Sequence, residues 1–345
     1  MVLGGSLVQQ ISSITQIPGI YAGHATLAEA GTGCTVIVCP AGATGGVDVR
    51  GGAPATRETD LLRPEETVQT LDAVVLSGGS AYGLAASCGV AEELEHRRIG
   101  VNVGVGVVPI VSSACLFDLA CGRSDVRPGV AEGAAAVRAA FEHAEEPLER
   151  GNVGAGTGCT IGKVAGPTRS MKSGLGEAVE RAGELICGAV SAVNAAGDIW
   201  DPDTHKPIAG VLNEDGTGLA STVELVLQMQ RESDFARSHG VPRTNTTISC
   251  VVTNARLSKA EATKVAQMAA DGYAHAIKPT HTTNDGDTIF VMATGEAEAP
   301  VDMVGILSAQ AIAHAIVDGV RSAQSAYGVI SAAELRQNLS QNPSL

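Results

Sequence analysis

The 345-residue sequence predicts an α/β fold with a substantial core. Short β-branched runs with period-2 patterning, such as Ile248 to Thr253, recur along the chain. Alanine-rich helical segments fall between them, among them Ala131 to His143 and the helix opened by Ser258-Lys259-Ala260-Glu261. Hydrophobic residues make up 44% and charged residues 17%, which supplies a core and argues against disorder. Aromatics are only 3% while glycine reaches 42 residues, so helices and sheets built from Ala, Val, Leu and Gly can pack closely.

In chain order, Ile17-Pro18-Gly19-Ile20 is a turn before the first strand. Thr35 to Val38 reads as a short buried strand. The glycine-rich stretch Gly42 to Pro54 reads either as a functional loop or as a set of tight turns. Asp48, Arg50, Arg57, Glu58 and Asp60 could share an ion-pair network. Asp72 to Leu76 is a strand that runs through Ser77-Gly78-Gly79-Ser80 into a helix from about Ala81 to His96, with Ser80 as its N-cap. This resembles a nucleophile elbow, but Tyr82 stands where Gly-x-Ser-x-Gly needs its last glycine. Tyr82 is then either a packed core tyrosine or a hydroxyl for a site at that helix end. Gly104 to Leu119 is apolar and broken by Gly and Pro.

The second glycine cluster, Gly151 to Lys163, invites a phosphate-loop reading that its spacing refuses. Glycine would be needed at Thr157 and Ser or Thr at Val164. Lys163 is a single cation in an otherwise uncharged run, either the solvated end of a strand or a site group. Ala189 to Asp198 reads as a strand carrying Asn194, an amide where an apolar residue would cost nothing. A buried amide needs partners, or it is there to donate to something. Residues 201–238 are the most linker-like. The helix after Ser258 ends before Pro279, and His281 to Asp287 turns into a strand from Thr288 to Ala293. Asp285 and Asp287 could bind a metal, but no wider calcium-loop spacing supports them. An apolar helix from about Val301 to Gln324 follows, and no internal repeat is evident.

The net charge of −14 argues against a nucleic-acid partner. None of the eight cysteines forms a Cys-x-x-Cys pair, which suits buried thiols of a reducing, cytoplasmic compartment. No positive charge precedes the first apolar residues, so no secretory signal is read. Val101 to Phe117 carries no charge, yet its glycines, Pro109 and paired serines argue against a membrane helix. The match of Asn245-Thr246-Thr247 to a glycosylation sequon therefore carries no meaning. No His-Glu-x-x-His occurs, the eight histidines are scattered, and no metal site is assigned.

The stretch Thr244 to Asn254 is a polar loop entering a strand, with Thr246 at the junction. Two readings stand. It is the entrance to a core strand, or cleavage before Thr246 gives it a free α-amine beside its own hydroxyl. The latter is the equipment of an N-terminal nucleophile hydrolase.

Ile17-Pro18-Gly19-Ile20 and the runs Gly45–Leu62, Leu76–Gly83, Pro109–Leu119, Gly151–Lys163, Val193–Asp198, Asn245–Asn254 and His281–Phe290 together resemble one family. It is the DmpA/BapA-type L-aminopeptidase/D-esterase family, which includes the nylon-oligomer (6-aminohexanoate) hydrolases. The resemblance implies a four-layer α/β/β/α sandwich and a self-processed precursor. It implies a single catalytic domain, 1–345, cut between Asn245 and Thr246 into an α fragment (1–245) and a β fragment (246–345). It implies a homo-oligomer, often a tetramer of αβ units. By motif match Thr246 is the nucleophile and Asn194 resembles the family's oxyanion-hole asparagine. Tyr82 and Lys163 fall where the nylon-oligomer hydrolases place a tyrosine and a lysine, and Asp285 and Asp287 match acids near their nucleophile.

The implied activity is an aminopeptidase or amidohydrolase acting on small peptides, amides or esters, with no cofactor. Asp118, Glu58 and Asp285 are candidates to meet a substrate amine. The alternatives are an endo-type 6-aminohexanoate-oligomer hydrolase, an acyltransferase of the ornithine acetyltransferase type, and an unprocessed binding or scaffold protein.

Overall fold

The computed structural model describes residues 12–144, 146–231 and 245–341. Nine strands form one hydrogen-bonded path: β1 (Tyr21–Leu27), β2 (Thr32–Val49), β3 (Thr56–Arg57), β4 (Leu71–Ser77), β5 (Val111–Cys115), β6 (Leu175–Ala182), β7 (Leu185–Asn194), β8 (Thr246–Ala255) and β9 (Thr288–Ala297). The order is β6-β7-β8-β9-β2-β4-β5-β3, with β1 on the free side of β2. β2 is the hinge of this path. Its first half pairs with β1 and β4, its second half pairs with β9, and its register shifts between Val38 and Ala43. The path thus folds into two facing layers.

Side-chain alternation along the strands shows how the layers stack. In β8, Ile248, Cys250 and Val252 join Phe290 and Met292 of β9 and Ile37, Val74 and Leu76 of β2 and β4, a core between the two sheets. Val251, Ile289 and Val291 point the other way, onto helices α3 (Lys259–Ala269), α4 (Asp271–Ala276) and α5 (Val301–Ser322). On the opposite side, Cys34, Val36, Ala73 and Val75 meet α1 (Ala86–His96) and α2 (Val130–Glu142). Three cores between successive layers make the α/β/β/α sandwich. Both faces of each central strand are covered, which is why these strands carry apolar residues in runs and not only in alternation. The parallel pairs β8/β9 and β4/β5 are each joined through helices, as parallel neighbours must be. α5 is long and apolar enough to cross a membrane, but two-thirds of its most apolar window is buried within the fold. It lies so close to β6 that a Cβ on Gly176 would sit 2.1 Å from the Ala315 carbonyl oxygen.

Several sequence expectations are corrected. Gly42 to Val49 is not a loop but the second half of β2. Its glycines are there because neighbours press on the strand: a Cβ on Gly46 would lie 2.4 Å from the Ala262 backbone. Ser80 does not cap a helix. Gly79 takes the left-handed conformation, a 3-10 turn spans Ser80–Ala85, and the α-helix starts only at Ala86. The expected ion-pair network does not form. Arg50 pairs with Asp48 at 2.5 Å and Asp60 with Arg63 at 2.8 Å, while Arg57 donates to Ser87 Oγ at 2.9 Å. The linker-like region contains short strands at Asp198–Trp200 and Pro207–Ala209 and a helix, Thr222–Arg231. Its remainder, 232–238, and Thr244 lie outside the described residues. The capping box is present: Ser258 Oγ accepts from Glu261 N at 3.3 Å, and Glu261 Oε2 accepts from Ser258 N at 2.8 Å. All eight cysteines are free thiols, and only Cys88 is not buried.

Candidate active site

Antiparallel register sets Asn194, the last residue of β7, directly opposite Thr246, the first residue of β8. Both strands lie between a helical layer and the second sheet, so an amide and a hydroxyl at their ends are shielded. Asn194 is 0% and Thr246 4% exposed. Asn194 Oδ1 accepts from Lys163 Nζ at 2.6 Å and from Thr160 N at 3.1 Å, and Asn194 Nδ2 donates to the Phe117 carbonyl at 2.8 Å. Lys163 Nζ also donates to the Asn194 backbone carbonyl at 3.0 Å. The turn that aims Lys163 needs glycine just before it. Gly162 has φ +66°, and a Cβ there would lie 2.1 Å from the Gly210 backbone. Burial pushes the Lys163 ammonium down to about 7, against the opposing pull of Cys159, Asp285, Cys121 and Asp118.

The His281–Asp287 turn closes the other side. Asn245 bridges to Asp285, and Gly286 N donates to both the Asn245 carbonyl oxygen and Thr246 Oγ1, each at 3.2 Å. The Thr246 hydroxyl itself donates to the Asn245 carbonyl oxygen. Asp287 Oδ1 accepts from Thr247 N at 2.7 Å. Its Oδ2 accepts from His281 N at 3.0 Å and lies 2.9 Å from His281 Nδ1. Thr282 N donates to Asp285 Oδ2 at 2.6 Å. Burial first, and then the charge of Asp287, pushes the Asp285 carboxyl up to about 6, with Lys163 opposing. Burial thus moves Lys163 down and Asp285 up, each toward neutrality.

A cavity of about 260 Å³ opens beside Lys163 and Thr160, walled by Phe117, Cys121, Pro167, Tyr327 and Val329. It has room for a small ligand and apolar walls with a few polar groups. Asp118 also lines it, but its carboxylate is already engaged. Oδ2 accepts from Thr32 Oγ1 at 2.6 Å and Oδ1 from Gly79 N at 2.7 Å, which braces the turn after β4. Burial pushes the Asp118 pKa up.

Of the residues singled out in the sequence, Asn245, Thr246, Asn194, Lys163, Asp285 and Asp287 come together. Tyr82 and Glu58 do not join them. Tyr82 is 62% exposed, outside the cavity lining, with the Arg127 guanidinium 4.0 Å from its ring centroid. Glu58 is exposed on a positive-φ backbone, and its charge joins no ion pair among the described residues. Sequence reasoning missed His281, Gly286, Thr160 and the Phe117 carbonyl. His281 sits in the same turn as the two aspartates, and that spacing was the available signal. The other three act through backbone groups, which side-chain identity does not advertise.

Comparison with known proteins identifies the family and the fold. The profile of peptidase family S58 matches residues 12–333. An uncharacterized aminopeptidase of Mycobacterium leprae is 39% identical, with 92% of each chain covered. A 6-aminohexanoate-oligomer endohydrolase of Paenarthrobacter ureafaciens is 33% identical over 82% of this chain and 75% of its own. Among solved structures, the L-aminopeptidase D-Ala-esterase/amidase of Ochrobactrum anthropi, described as a variant of the Ntn hydrolase fold, superposes with a TM-score of 0.65. It is 18% identical and covers 96% of this chain and 94% of its own. A beta-aminopeptidase of Burkholderia sp. superposes equally well, at TM-score 0.65 and 21% identity, covering 95% and 93%. With the family profile spanning nearly the whole chain and the fold shared end to end, this protein belongs to peptidase family S58 and is a hydrolase.

Proposed function

We propose that the chain is a self-cleaving N-terminal-threonine amidohydrolase. It cuts its own Asn245–Thr246 bond, yielding fragments 1–245 and 246–345 that stay together. It then releases N-terminal residues from small peptides, amides or esters through an acyl-Thr246 intermediate. The carrying observation is the convergence on Thr246: Asn194 opposite in register, Lys163 on Asn194 at 2.6 Å, and the Asp285–Asp287 turn closed over the hydroxyl. In the first reaction, Thr246 Oγ1 attacks the Asn245 carbonyl carbon, the peptide becomes an ester, and water hydrolyses it. Fixed geometry replaces a bimolecular encounter.

In the second reaction the new α-amine, with a reference pKa of about 8, takes the hydroxyl proton as Oγ1 attacks substrate. Asn194 donates to the tetrahedral oxyanion. Lys163 positions that amide through Oδ1, and when charged it favours the neutral amine. The cavity beside Lys163 receives the acyl group. Assembly as tetramers of αβ units belongs to the same reading and is checked by solution mass.

The names of the relatives support aminopeptidase action first, and the 6-aminohexanoate-oligomer endohydrolases at 33% identity support ω-amino amides as the second substrate class. Denaturing mass analysis of the purified protein tests the reading. Two fragments split at residue 246 are expected, and Thr246→Ala should stay intact and inactive. A wild-type chain that stays whole and opens no member of an aminoacyl-amide panel would sink it. The same panel separates α-, β- and ω-amino substrates.

A further inference from the structure

Asn194 serves the oxyanion of substrate hydrolysis; self-cleavage develops its own oxyanion, on the Asn245 carbonyl oxygen. The geometry points to the backbone N–H of Gly286 as the oxyanion donor of the self-cleavage step, an inference that rests on Thr246 being the self-cleaving group. Attack of Thr246 Oγ1 forms the Oγ1–C bond at Asn245 and drives the carbonyl electron pair onto the Asn245 oxygen. Collapse breaks the C–N bond, the hydroxyl proton ends on the Thr246 amine, and an ester remains. Gly286 N stands 3.2 Å from that carbonyl oxygen and 3.2 Å from the attacking Oγ1. One N–H thus spans both atoms whose charge changes.

The donor is fixed before the reaction. The carbonyl on the other end of its peptide, that of Asp285, accepts from Ala53 N at 2.8 Å. The flanking side chains are pinned as well, Asp285 by Thr282 N at 2.6 Å and Asp287 by Thr247 N at 2.7 Å. Gly286 is buried. A prealigned dipole in a water-excluded place is the arrangement that stabilises developing charge at no reorganisation cost. Glycine is required because a Cβ would lie 2.8 Å from Thr246 Oγ1 and 3.0 Å from the Ala53 carbonyl oxygen, in the space the attack needs.

The test removes the N–H, at the cost of a weaker Asp285 carbonyl acceptor for Ala53 N, which the folding control reads. Cell-free translation with glycolate in place of Gly286 turns the 285–286 amide into an ester, and the conversion of intact chain to fragments is followed over time. Cleavage is expected to slow about 100- to 1,000-fold, the usual loss for one oxyanion donor. The same ester in a Thr246→Ala chain, which cannot cleave, reads folding, and its unfolding midpoint should stay within a few degrees of the amide chain. Cleavage within threefold of the amide chain overturns the inference, and so does slow cleavage with a collapsed midpoint. An unsubstituted chain that never cleaves instead sinks the self-cleavage reading, and this donor with it.

Discussion

Lys163 and Lys172 are nine residues apart on either side of one loop, Lys163 half-buried at a cavity wall and Lys172 fully buried. Burial lowers both pKa values, and the same neighbours, Cys159, Cys121 and Asp118, oppose it. Their surroundings differ. Lys172 is 0% exposed and donates only to backbone: Ser173 O at 2.5 Å, Cys159 O at 3.0 Å and Gly156 O at 3.4 Å. Three carbonyls match the three donors of an ammonium, so this lysine staples the Gly154–Ser173 loop in place. Lys163 lines a cavity and reaches a side chain, Asn194, that faces Thr246. One cation serves backbone and holds shape; the other serves an amide to which the proposed mechanism gives chemistry. Burial and a shifted pKa therefore do not mark a site by themselves. The identity of the acceptor does.

The largest expected difference lies in activity. Lys163→Met should lower kcat on a small amide by about 100-fold or more while KM changes less than about threefold, since it frees Asn194 Oδ1 and unsettles the oxyanion donor. Lys163→Arg should recover part of the loss. If kcat stays within threefold of wild type, the division between the two lysines fails. Lys172→Met should act mainly on stability. It removes the donor of the Ser173 carbonyl and one of two donors from the Cys159 and Gly156 carbonyls, which keep Ser173 N and Cys159 N, a loss of about 1–3 kcal/mol after the removed cost of burying the charge is set against it. Denaturant unfolding of the Thr246→Ala form measures this without interference from cleavage. A Lys172→Met protein as stable as its parent would show that the staple is idle.

The two lysines also show what was legible in the sequence. Lys163 stood out as one cation in an uncharged glycine run, and Asn194 as an amide where apolar residues belong. Both are chemical anomalies, which single-sequence reading detects well. Lys172 follows Met171 in an unremarkable polar setting, and its three acceptors are carbonyls that no residue letter encodes. The same blindness hid Gly286 and the Phe117 carbonyl. β8 was legible because Ile248, Cys250 and Val252 alternate, whereas the second half of β2 was not. Its glycines answer to Leu71 and the Ala262 backbone pressing from other elements, and locally they look like turns. Tyr82 and Glu58 entered by motif position and sequence placement, and the fold leaves both at the surface. The resemblance supplied the layer order; the three cores account for it physically.

A smaller effect follows from the Lys163 pKa. Its folded value, about 7, lies below its unfolded value near 10.4, so the unfolded chain binds the extra proton between them. The stability that Lys163 contributes should therefore rise with pH from about 7 toward 10, read as the difference between wild type and Lys163→Met, because the buried thiols, whose raised pKa values act in the opposite sense, are common to both. At pH 6, where wild type carries the full cost of a buried charge, the Met variant should be at least as stable. Thermal midpoints of both in the Thr246→Ala background, taken across this range, decide it. Parallel curves would mean that the ammonium is not held down by burial.

The smallest expected effect uses a buried carboxylate far from Thr246 as a control of opposite sign. Glu177 Oε2 accepts from Ser13 Oγ at 3.0 Å and Ile14 N at 3.1 Å, tying residues 13–16 to β6. Burial pushes its pKa up to about 7, with those two hydrogen bonds and Arg150 pulling the other way. A carboxyl raised in the folded state contributes stability that is complete below about pH 4 and is lost as pH rises through about 7. Glu177→Gln keeps an acceptor and removes the charge. It should raise stability at pH 8 by about 1–2 kcal/mol, do nothing at pH 4, and leave kcat unchanged at both. Lys163 should lose activity with its charge and Glu177 should gain stability with the loss of its own. A kcat change in Glu177→Gln would join the two regions that the acceptor rule keeps apart.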